Sequence, residues 1–148
     1  MRISAFMVKA HDVVRCTESD RIETVIDAVL DRNISAVVVV GANNETPVGI
    51  VTKTDLVKAF QKGISTQDQV GTIMVKHLKT VLDTENRDAV AKAFEHNKHH
   101  HAVVVDKDGR FKGLVSSWDV AVECAKDSRA WPWIRPEEGR VMGATGVH

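Results

Sequence analysis

The stretch GIVTKTD, residues 49–55, decides the fold of this chain, because it returns as GLVSSWD at residues 113–119. Both copies contain a glycine, an aliphatic residue, a valine and a hydroxyl residue, followed after two variable positions by an aspartate. Each copy follows a short β-like run and begins an amphipathic stretch, which predicts that it lies where a strand turns into a helix. The two copies therefore indicate an internal repeat.

The sequence around the two heptapeptides also repeats, in the same order in both halves. Phe6-Met7-Val8-Lys9 returns as Ile73-Met74-Val75-Lys76. Helical spacing of apolar residues, β-like runs and turns rich in Asn or Gly then predict the same series of elements twice. These elements are helices at 19–32 and 86–96, strands at 37–40 and 102–105, hairpin turns at 41–47 and 106–109, and closing helices at 55–61 and 119–126. A second hairpin strand runs into each heptapeptide, and a short strand precedes the first helix of each half, where Val13-Val14 returns as Thr80-Val81. Each half therefore reads strand, helix, strand, strand, helix.

The predicted fold is α+β, with two β-α-β-β-α repeats related by a pseudo-twofold axis. A unit of about 60 residues buries too little surface to be stable alone, and its helices leave one face of a three-stranded sheet uncovered. Packing the two halves sheet to sheet covers both open faces. We expect one domain at residues 1–63, a second at 64–127, and an aromatic arm and tail at 128–148. Trp131 and Trp133 in the arm should pack on their own domain or on a neighbouring subunit.

Composition disfavours several classes of protein. The 148 residues are 43% hydrophobic, and twenty basic residues balance twenty acidic ones, whereas a sequence-independent nucleic-acid binder normally has a basic excess. The longest apolar run, 36–40, is too short to cross a bilayer, and residues 1–16 lack the apolar region of a signal peptide. Cys16 and Cys124 lack CxxC spacing, which favours free thiols in a reducing compartment. We therefore expect a cytoplasmic protein with no nucleic-acid or membrane partner.

Each heptapeptide fits two roles. Thr52 with Asp55, and Ser116 with Asp119, have the spacing of a capping box, in which hydroxyl and carboxylate satisfy free backbone N–H groups at a helix start. The same groups suit a nucleotide, because a helix N-terminus attracts an anion and a carboxylate accepts hydrogen bonds from the two hydroxyls of a ribose. Each half could therefore hold a ribose and a phosphate where its last strand meets its last helix.

The doubled pattern resembles a tandem pair of cystathionine-β-synthase (CBS) domains, known as a Bateman module, over roughly residues 2–127. The resemblance rests on Phe6-Met7 and Ile73-Met74, on the two β-runs with their turns, and on the two heptapeptides. It implies clefts between the two sheets that bind adenine nucleotides or adenosyl compounds. By position, it assigns phosphate contacts to Thr52 and Ser116 and ribose contacts to Asp55 and Asp119.

Members of this family often carry basic residues just before the middle strand, where these residues meet the phosphates. The second half holds His100 and His101 at these positions, and the first half holds Ser35 and Ala36. The resemblance thus implies that the cleft of the second heptapeptide takes a phosphorylated ligand. The cleft of the first would take a neutral adenosyl group or remain empty. Because histidine titrates near neutrality, binding should weaken above about pH 7.

Two other kinds of site are less well supported. The histidines at 96, 99, 100 and 101 suggest a metal, but consecutive strand residues alternate faces, and no nearby Cys or carboxylate completes a tetrahedral set. Ser116 and Ser117 beside these histidines suggest a hydrolase, but a GxSxG elbow and a third residue to orient the base are missing. We expect no metal and no catalytic residue. Trp118 should serve packing, since Thr54 occupies its position in the first copy.

The favoured function is a non-catalytic sensor of an adenosyl ligand such as AMP, ADP, ATP, NAD or S-adenosylmethionine, with no required cofactor. The ligand would favour one arrangement of the halves, or of two protomers, and so act on an unidentified regulated protein. A homodimer should form through apolar residues of the closing helices, around Leu56, Val57, Phe60 and Val120. The alternative is a ligand-free interaction module whose capping boxes are only caps and whose Trp131 and Trp133 dock a partner.

Overall fold

The computed structural model describes residues 1–97 and 100–127. Over these residues the chain forms seven β-strands and four α-helices. In chain order they are β1 (Val8–Lys9), β2 (Arg15–Cys16), α1 (Ile22–Arg32), β3 (Ala36–Val40), β4 (Pro47–Thr52), α2 (Lys53–Gln61), β5 (Thr80–Leu82), α3 (Arg87–Asn97), β6 (His101–Val105), β7 (Phe111–Ser116) and α4 (Ser117–Lys126). The predicted order of strand, helix, strand, strand, helix is confirmed in both halves, from β2 to α2 and from β5 to α4.

Two of the predictions concern residues outside the described ranges: the aromatic arm with Trp131 and Trp133, and His99. Among the helices that are described, none combines the length and the apolar character needed to cross a membrane.

The strands form two mixed sheets. The first has the order β2-β3-β4 and the second the order β1-β7-β6-β5. In each sheet the strand before the first helix runs parallel to the middle strand, and the last two strands form an antiparallel hairpin. The expectation of three strands per sheet is wrong for the second sheet. Its fourth strand is Val8–Lys9, which comes from the start of the chain and pairs antiparallel with β7.

Both hairpins turn through a residue in the left-handed region. Asn44 has φ 59° and Gly109 has φ 80°, a conformation that asparagine and glycine adopt more easily than other residues. In the second turn the Asp106 carboxylate accepts backbone N–H bonds from Arg110 and Asp108, both at 2.9 Å, and these bonds lower the pKa of Asp106. The two predicted hairpin turns are confirmed.

The apolar core has three parts. One cluster lies between the sheet and the helices of each half, and the third lies between the two sheets. Strand β3 is buried along its whole length because Val37 and Val39 face the helices, while Val38 and Val40 face the other sheet. The buried residues between the sheets are Val13, Val38, Val40, Val103 and Phe111. The predicted α+β fold, with two repeats packed sheet to sheet, is confirmed.

The leading segment of each half packs on the other half. Ile3 lies in the core of the second half, and its N–H donates to the carbonyl of Glu85 at 3.0 Å. Val70 and Met74 lie in the core of the first half. The repeat that contains Phe6-Met7 and Ile73-Met74 therefore marks two segments that cross between the halves.

The glycines of the two heptapeptides lie beneath these crossing segments. A methyl group on Gly49 would stand 2.7 Å from the sulfur of Met74. A methyl group on Gly113 would stand 2.8 Å from the sulfur of Met7 and closer still to the carbonyl oxygen of Val8. Something must shift to admit a methyl group at either position. At Gly49 that is the side chain of Met74, whereas at Gly113 it is the backbone of Val8, so the close approach requires glycine most strictly at Gly113.

Candidate functional site

Each heptapeptide forms the end of one strand and the first turn of the following helix. The Thr52 N–H donates to Asp55 Oδ2 at 2.8 Å, and the Asp55 N–H donates to Thr52 Oγ1 at 3.3 Å. In the second copy the corresponding distances between Ser116 and Asp119 are 2.9 and 3.0 Å. Both predicted capping boxes are therefore present, and they fix the side chains at the start of α2 and α4.

Capping uses only one oxygen of each aspartate. Within residues 1–97 and 100–127, the hydrogen bonds to the side chains of Asp55 and Asp119 all reach Oδ2. An ionised carboxylate has room for about four hydrogen bonds. Oδ1 of each half-buried aspartate is therefore available to hydroxyl groups of a ligand, and capping does not compete with binding.

A cleft of about 360 Å³ lies at the first heptapeptide, and we call it the threonine cleft. Thr52 and Asp55 form one part of its wall, and the crossing segment that follows Met74 forms another. Its volume is within the range of small-molecule sites. The lining residues are Ser35, Ile50, Thr52, Lys53, Thr54, Asp55, Lys58, Val75, His77, Lys79, His100 and His101.

A second cleft, of about 290 Å³, lies at the second heptapeptide, and we call it the serine cleft. Ser116 and Asp119 form part of its wall, and the crossing segment that includes Val8, paired with Leu114, forms another part. The lining residues are Val8, Asp12, Val13, Val14, Asn33, Ile34, Ser35, Ala36, Lys53, His101, Leu114, Ser116 and Asp119.

The two clefts share a wall made of Ser35, Lys53 and His101, which line both. The Ser35 hydroxyl and His101 Nε2 are 3.0 Å apart and form a hydrogen bond between the two halves. Burial lowers the pKa of His101, the nearby His100 lowers it further, and Asp119 opposes the shift. His101 is therefore neutral at pH 7, and its ring lies between the two sites.

The expected pairing of the histidines with the second heptapeptide is wrong for His100, which lines the threonine cleft, whereas His101 lines both clefts. The reason is the packing of the sheets face to face. The residues before the middle strand of one half reach the cleft at the heptapeptide of the other half. Ser35 and Ala36 follow the same rule, since both line the serine cleft.

Sequence reasoning missed three basic residues of the threonine cleft, Lys58, His77 and Lys79. Lys58 lies one turn after Asp55 on α2. The other two follow Ile73-Met74 in the crossing segment, so their link to the first heptapeptide depends on the exchange between halves. The repeat carried a signal, because it aligns Lys79 with Asp12, which lines the serine cleft.

Other candidate chemistry finds little support in the described part of the chain. No group of three His, Cys, Asp or Glu side chains there is arranged to hold a metal ion. Ser116 Oγ accepts the helix-capping bond from Asp119. The expectation that Trp118 packs is wrong for the single chain, because 74% of its surface is exposed.

Comparison with protein families gives one match, repeated along the chain. The sequence matches the family model of the CBS domain over residues 3–62 and again over residues 70–126, which together make up more than half of the chain. No curated protein matches the sequence.

Several solved structures share the fold. The CBS domain protein PAE2072 from Pyrobaculum aerophilum, complexed with AMP, is 22% identical with a TM-score of 0.75, over 86% of this chain and 100% of that one. The CBS domain pair of the protein MJ0100, in complex with 5'-methylthioadenosine and S-adenosyl-L-methionine, is 22% identical with a TM-score of 0.76, over 86% and 98%. The CBS domain of a bacterial CNNM/CorC family Mg²⁺ transporter, in complex with ATP, is 22% identical with a TM-score of 0.75, over 84% and 87%.

Proposed function

The chain belongs to the CBS domain family, and from that premise we propose that it is a non-catalytic regulatory module that binds adenosyl ligands in its two clefts. No cofactor is required for this role. Residues 1–63 and 64–127 are its two sequence units, and residues 128–148 are an added arm. The ligand acts by favouring the arrangement of the halves, or of two protomers, that it contacts better, and the change is passed to a regulated protein.

One observation carries the proposal. Each heptapeptide places a hydroxyl residue and an aspartate at a helix N-terminus in the wall of a cleft, and each aspartate keeps Oδ1 outside the capping bonds. A helix N-terminus favours an anion, and the remaining carboxylate oxygen suits vicinal hydroxyls. A ribose phosphate presents both an anion and vicinal hydroxyls.

The solved CBS structures of similar fold support the choice of ligand class. They hold AMP, ATP, or 5'-methylthioadenosine with S-adenosyl-L-methionine, which share an adenosyl group. In this chain we assign the ribose contacts to Asp55 and Asp119. We assign the phosphate contacts to the side-chain hydroxyls of Thr52 and Ser116. His100 and His101 are added phosphate contacts in the threonine cleft.

The proposal is tested by isothermal titration calorimetry with AMP, ATP, adenosine and S-adenosylmethionine, and with GTP as the base control. The variant carrying both Asp55→Asn and Asp119→Asn keeps an oxygen for each capping bond but loses the charged acceptor for ribose. We expect at least one adenosyl ligand to bind the wild-type protein and none to bind the double variant. A ligand at about a hundred times its Kd should also stabilise the wild type by about 2.7 kcal/mol.

The alternative, a ligand-free interaction module, makes the opposite prediction in the same experiment. Both capping boxes are complete without a ligand, which is the observation that favours it. If no adenosyl compound binds the wild type, the capping boxes are only caps. The partner of the module should then be sought at Trp131 and Trp133, outside the described residues.

We propose that two copies form a homodimer through an apolar groove between α1 and α2. Leu30, Val57 and Phe60 are 72%, 67% and 85% exposed there, an unusual concentration of apolar surface. The groove has a volume of about 460 Å³ and is lined by Ile26, Val29, Leu30, Lys53, Leu56, Val57 and Phe60. The expected contribution of Val120 is wrong, because it is 3% exposed and lies in the core of the second half.

Light scattering coupled to size exclusion measures this assembly. Phe60→Glu places a charge in the groove without disturbing the core, so we expect a dimeric mass for the wild type and a monomeric mass for the variant. Gln61→Glu, the next residue on the same helix, is the matched control and should remain dimeric. A monomeric wild type at micromolar concentration would contradict the proposed dimer.

The cysteines support a reducing compartment, and we propose that the protein acts in the cytoplasm. Cys16 and Cys124 are buried free thiols, one in each half. Burial raises the pKa of Cys16 to about 12, with a smaller contribution from Asp20, so this thiol is neutral and unreactive at pH 7.

A further inference from the structure

The two clefts carry opposite charge at equivalent positions of the repeat. The crossing segment brings Lys79 to the threonine cleft, and the matching position in the other segment brings Asp12 to the serine cleft. When the two halves are aligned at their heptapeptides, Lys58 on α2 corresponds to Val122 on α4. The two clefts have an aspartate at the equivalent position, Asp55 or Asp119, but they differ in the charge of the surrounding residues.

The threonine cleft is basic. Among the residues that the structure describes, three lysines, Lys53, Lys58 and Lys79, line it against a single carboxylate, that of Asp55. Within the described ranges 1–97 and 100–127, none of these lysines forms a salt bridge. Their charges are therefore not neutralised by the protein, and an anion that enters the cleft meets three ammonium groups and the N-terminus of α2.

The serine cleft is acidic. Asp12 and Asp119 line it, and Oδ2 of Asp12 also lies 3.3 Å from Nε2 of His11 in the adjoining hollow. Among the described residues its single lysine is Lys53, which it shares with the threonine cleft. The rest of the wall is mainly apolar, with Val13, Val14 and other aliphatic side chains. A phosphate chain in this cleft would lie near two carboxylates, whereas an uncharged or positively charged group would not be repelled.

We propose that the threonine cleft takes an adenosine di- or triphosphate and that the serine cleft takes an uncharged or cationic adenosyl compound, either a nucleoside or a sulfonium such as S-adenosylmethionine. This inference rests on the proposed function, because the adenosyl group itself comes from there. It reverses the division of ligands that the positions of the histidines in the sequence imply.

A polar hollow beside the serine cleft does not change this assignment. It is lined by His11, Arg15 and Arg32 together with residues 12–14, and so adjoins the cleft at Asp12. Arg15 is engaged, since its guanidinium donates to the carbonyls of Ala10 and Asn44 and lies 5.1 Å from the centre of the Phe111 ring. Arg32 lies in the hollow but does not line the serine cleft.

Binding of single ligands to single-site variants tests the assignment. Asp55→Asn should abolish the binding of ATP, measured without divalent metal, and leave the binding of adenosine and S-adenosylmethionine unchanged. Asp119→Asn should have the reverse effect. Lys58→Gln and Lys79→Gln should each lower the affinity for ATP about tenfold, which is the usual loss for one charge-assisted contact. Neither variant should change the affinity for S-adenosylmethionine.

Lys112→Gln is the matched control, because Lys112 is an exposed lysine that lines neither cleft. It should leave the affinity for every ligand unchanged. Raising the salt concentration from about 50 to about 300 mM should weaken the binding of ATP but not that of adenosine, because salt screens the attraction between the phosphates and the lysines.

Failure of this inference is distinct from failure of the proposed function. If ATP binds but is lost in Asp119→Asn and kept in Asp55→Asn, the assignment of the clefts is overturned while the adenosyl sensor stands. The same holds if the two lysine variants leave ATP binding unchanged. If no adenosyl ligand binds the wild type, the proposed function fails and the inference fails with it.

Discussion

The two halves differ most in how the leading segment of one half contacts the last strand of the other. On the second sheet the segment forms a strand, β1, that pairs with β7. On the first sheet the equivalent contact is one bridge between Ile50 and Val75. Ile50 and Val75 line the threonine cleft, whereas Val8 and Leu114, which pair in the second sheet, line the serine cleft. Similar sequences thus give one topology but two different walls: β1 pairs two residues with β7, whereas Ile50 and Val75 are joined by the two backbone hydrogen bonds of one bridge. We expect the wall of the threonine cleft to be the less rigid of the two.

Replacing Gly113 by alanine should cause the largest loss of stability. The added methyl group would meet the carbonyl oxygen of Val8, which belongs to the paired backbone of β1 and cannot move alone. We expect the free energy of unfolding to fall by about 3 kcal/mol, at the upper end of the usual range for overpacking. Urea denaturation followed by circular dichroism measures the change.

Gly49→Ala is the matched variant in the first half. Its nearest neighbour is the thioether of Met74, a flexible side chain, and the nearest backbone atom is the Val75 carbonyl oxygen at 3.1 Å, much farther than the Val8 carbonyl is from a methyl group on Gly113. We expect a loss of about 1 kcal/mol. Equal losses in Gly49→Ala and Gly113→Ala would show that the two crossing contacts are equally rigid, and would contradict the comparison.

The capping boxes should not distinguish the halves in the absence of ligand. Thr52→Val and Ser116→Ala each remove the side-chain acceptor at the start of a helix of similar length, and Thr52→Val also removes the hydroxyl that donates to Asp55 Oδ2 at 3.0 Å. Each variant should therefore lose about 1 kcal/mol of unfolding free energy. A loss confined to one of them, measured by the same denaturation, would show that the other hydroxyl has no capping role.

The smallest effect concerns the shared wall between the clefts. Burial holds the pKa of His101 below its usual value, so the folded state binds a proton less readily than the unfolded state. The stability that depends on neutral His101 is present above the unfolded pKa of about 6.5 and is lost as the pH falls through the lower folded value. The charged or titratable groups that act on the ring are His100 and Asp119, and Lys53 lines both clefts together with His101.

We therefore expect the stability of the wild type to decline more steeply below about pH 6.5 than that of His101→Gln, which keeps a partner for the Ser35 hydroxyl. Thermal melting between about pH 5 and 8 compares the two proteins. If the melting temperatures of the two proteins depend on pH in the same way, the pKa of His101 is the same in the folded and unfolded states, which would contradict the prediction.

The order of strands and helices could be predicted from the sequence because both halves show the same pattern independently. Apolar periodicity, turn residues and the two heptapeptides agree over the whole length, and the capping residues follow from their spacing alone. The same argument predicted a core between two sheets, since neither sheet could remain open on one face.

Contacts between the halves could not be predicted from the repeat. Aligning the halves assigned His100 to the heptapeptide that follows it in sequence, whereas face-to-face packing of the sheets brings it to the other cleft. Periodicity also placed Val120 and Phe60 on similar apolar stripes. The structure buries Val120 with Cys124 in α4, while Phe60 on α2 is exposed, and only the rotation of each helix against its sheet decides between them.

The exchange of leading segments bears on how such a chain arises and folds. Two separate copies of a single repeat that swapped these segments would form a domain-swapped dimer, in which each core is completed by its neighbour. Joining the two copies through residues 62–69 converts that dimer into one chain. Neither half then contains all of its own core, because Ile3 belongs to the second and Val70 to the first. The chain should therefore fold in a single cooperative step set by long-range contacts, and a gene fragment that encodes one half should not yield a stable protein.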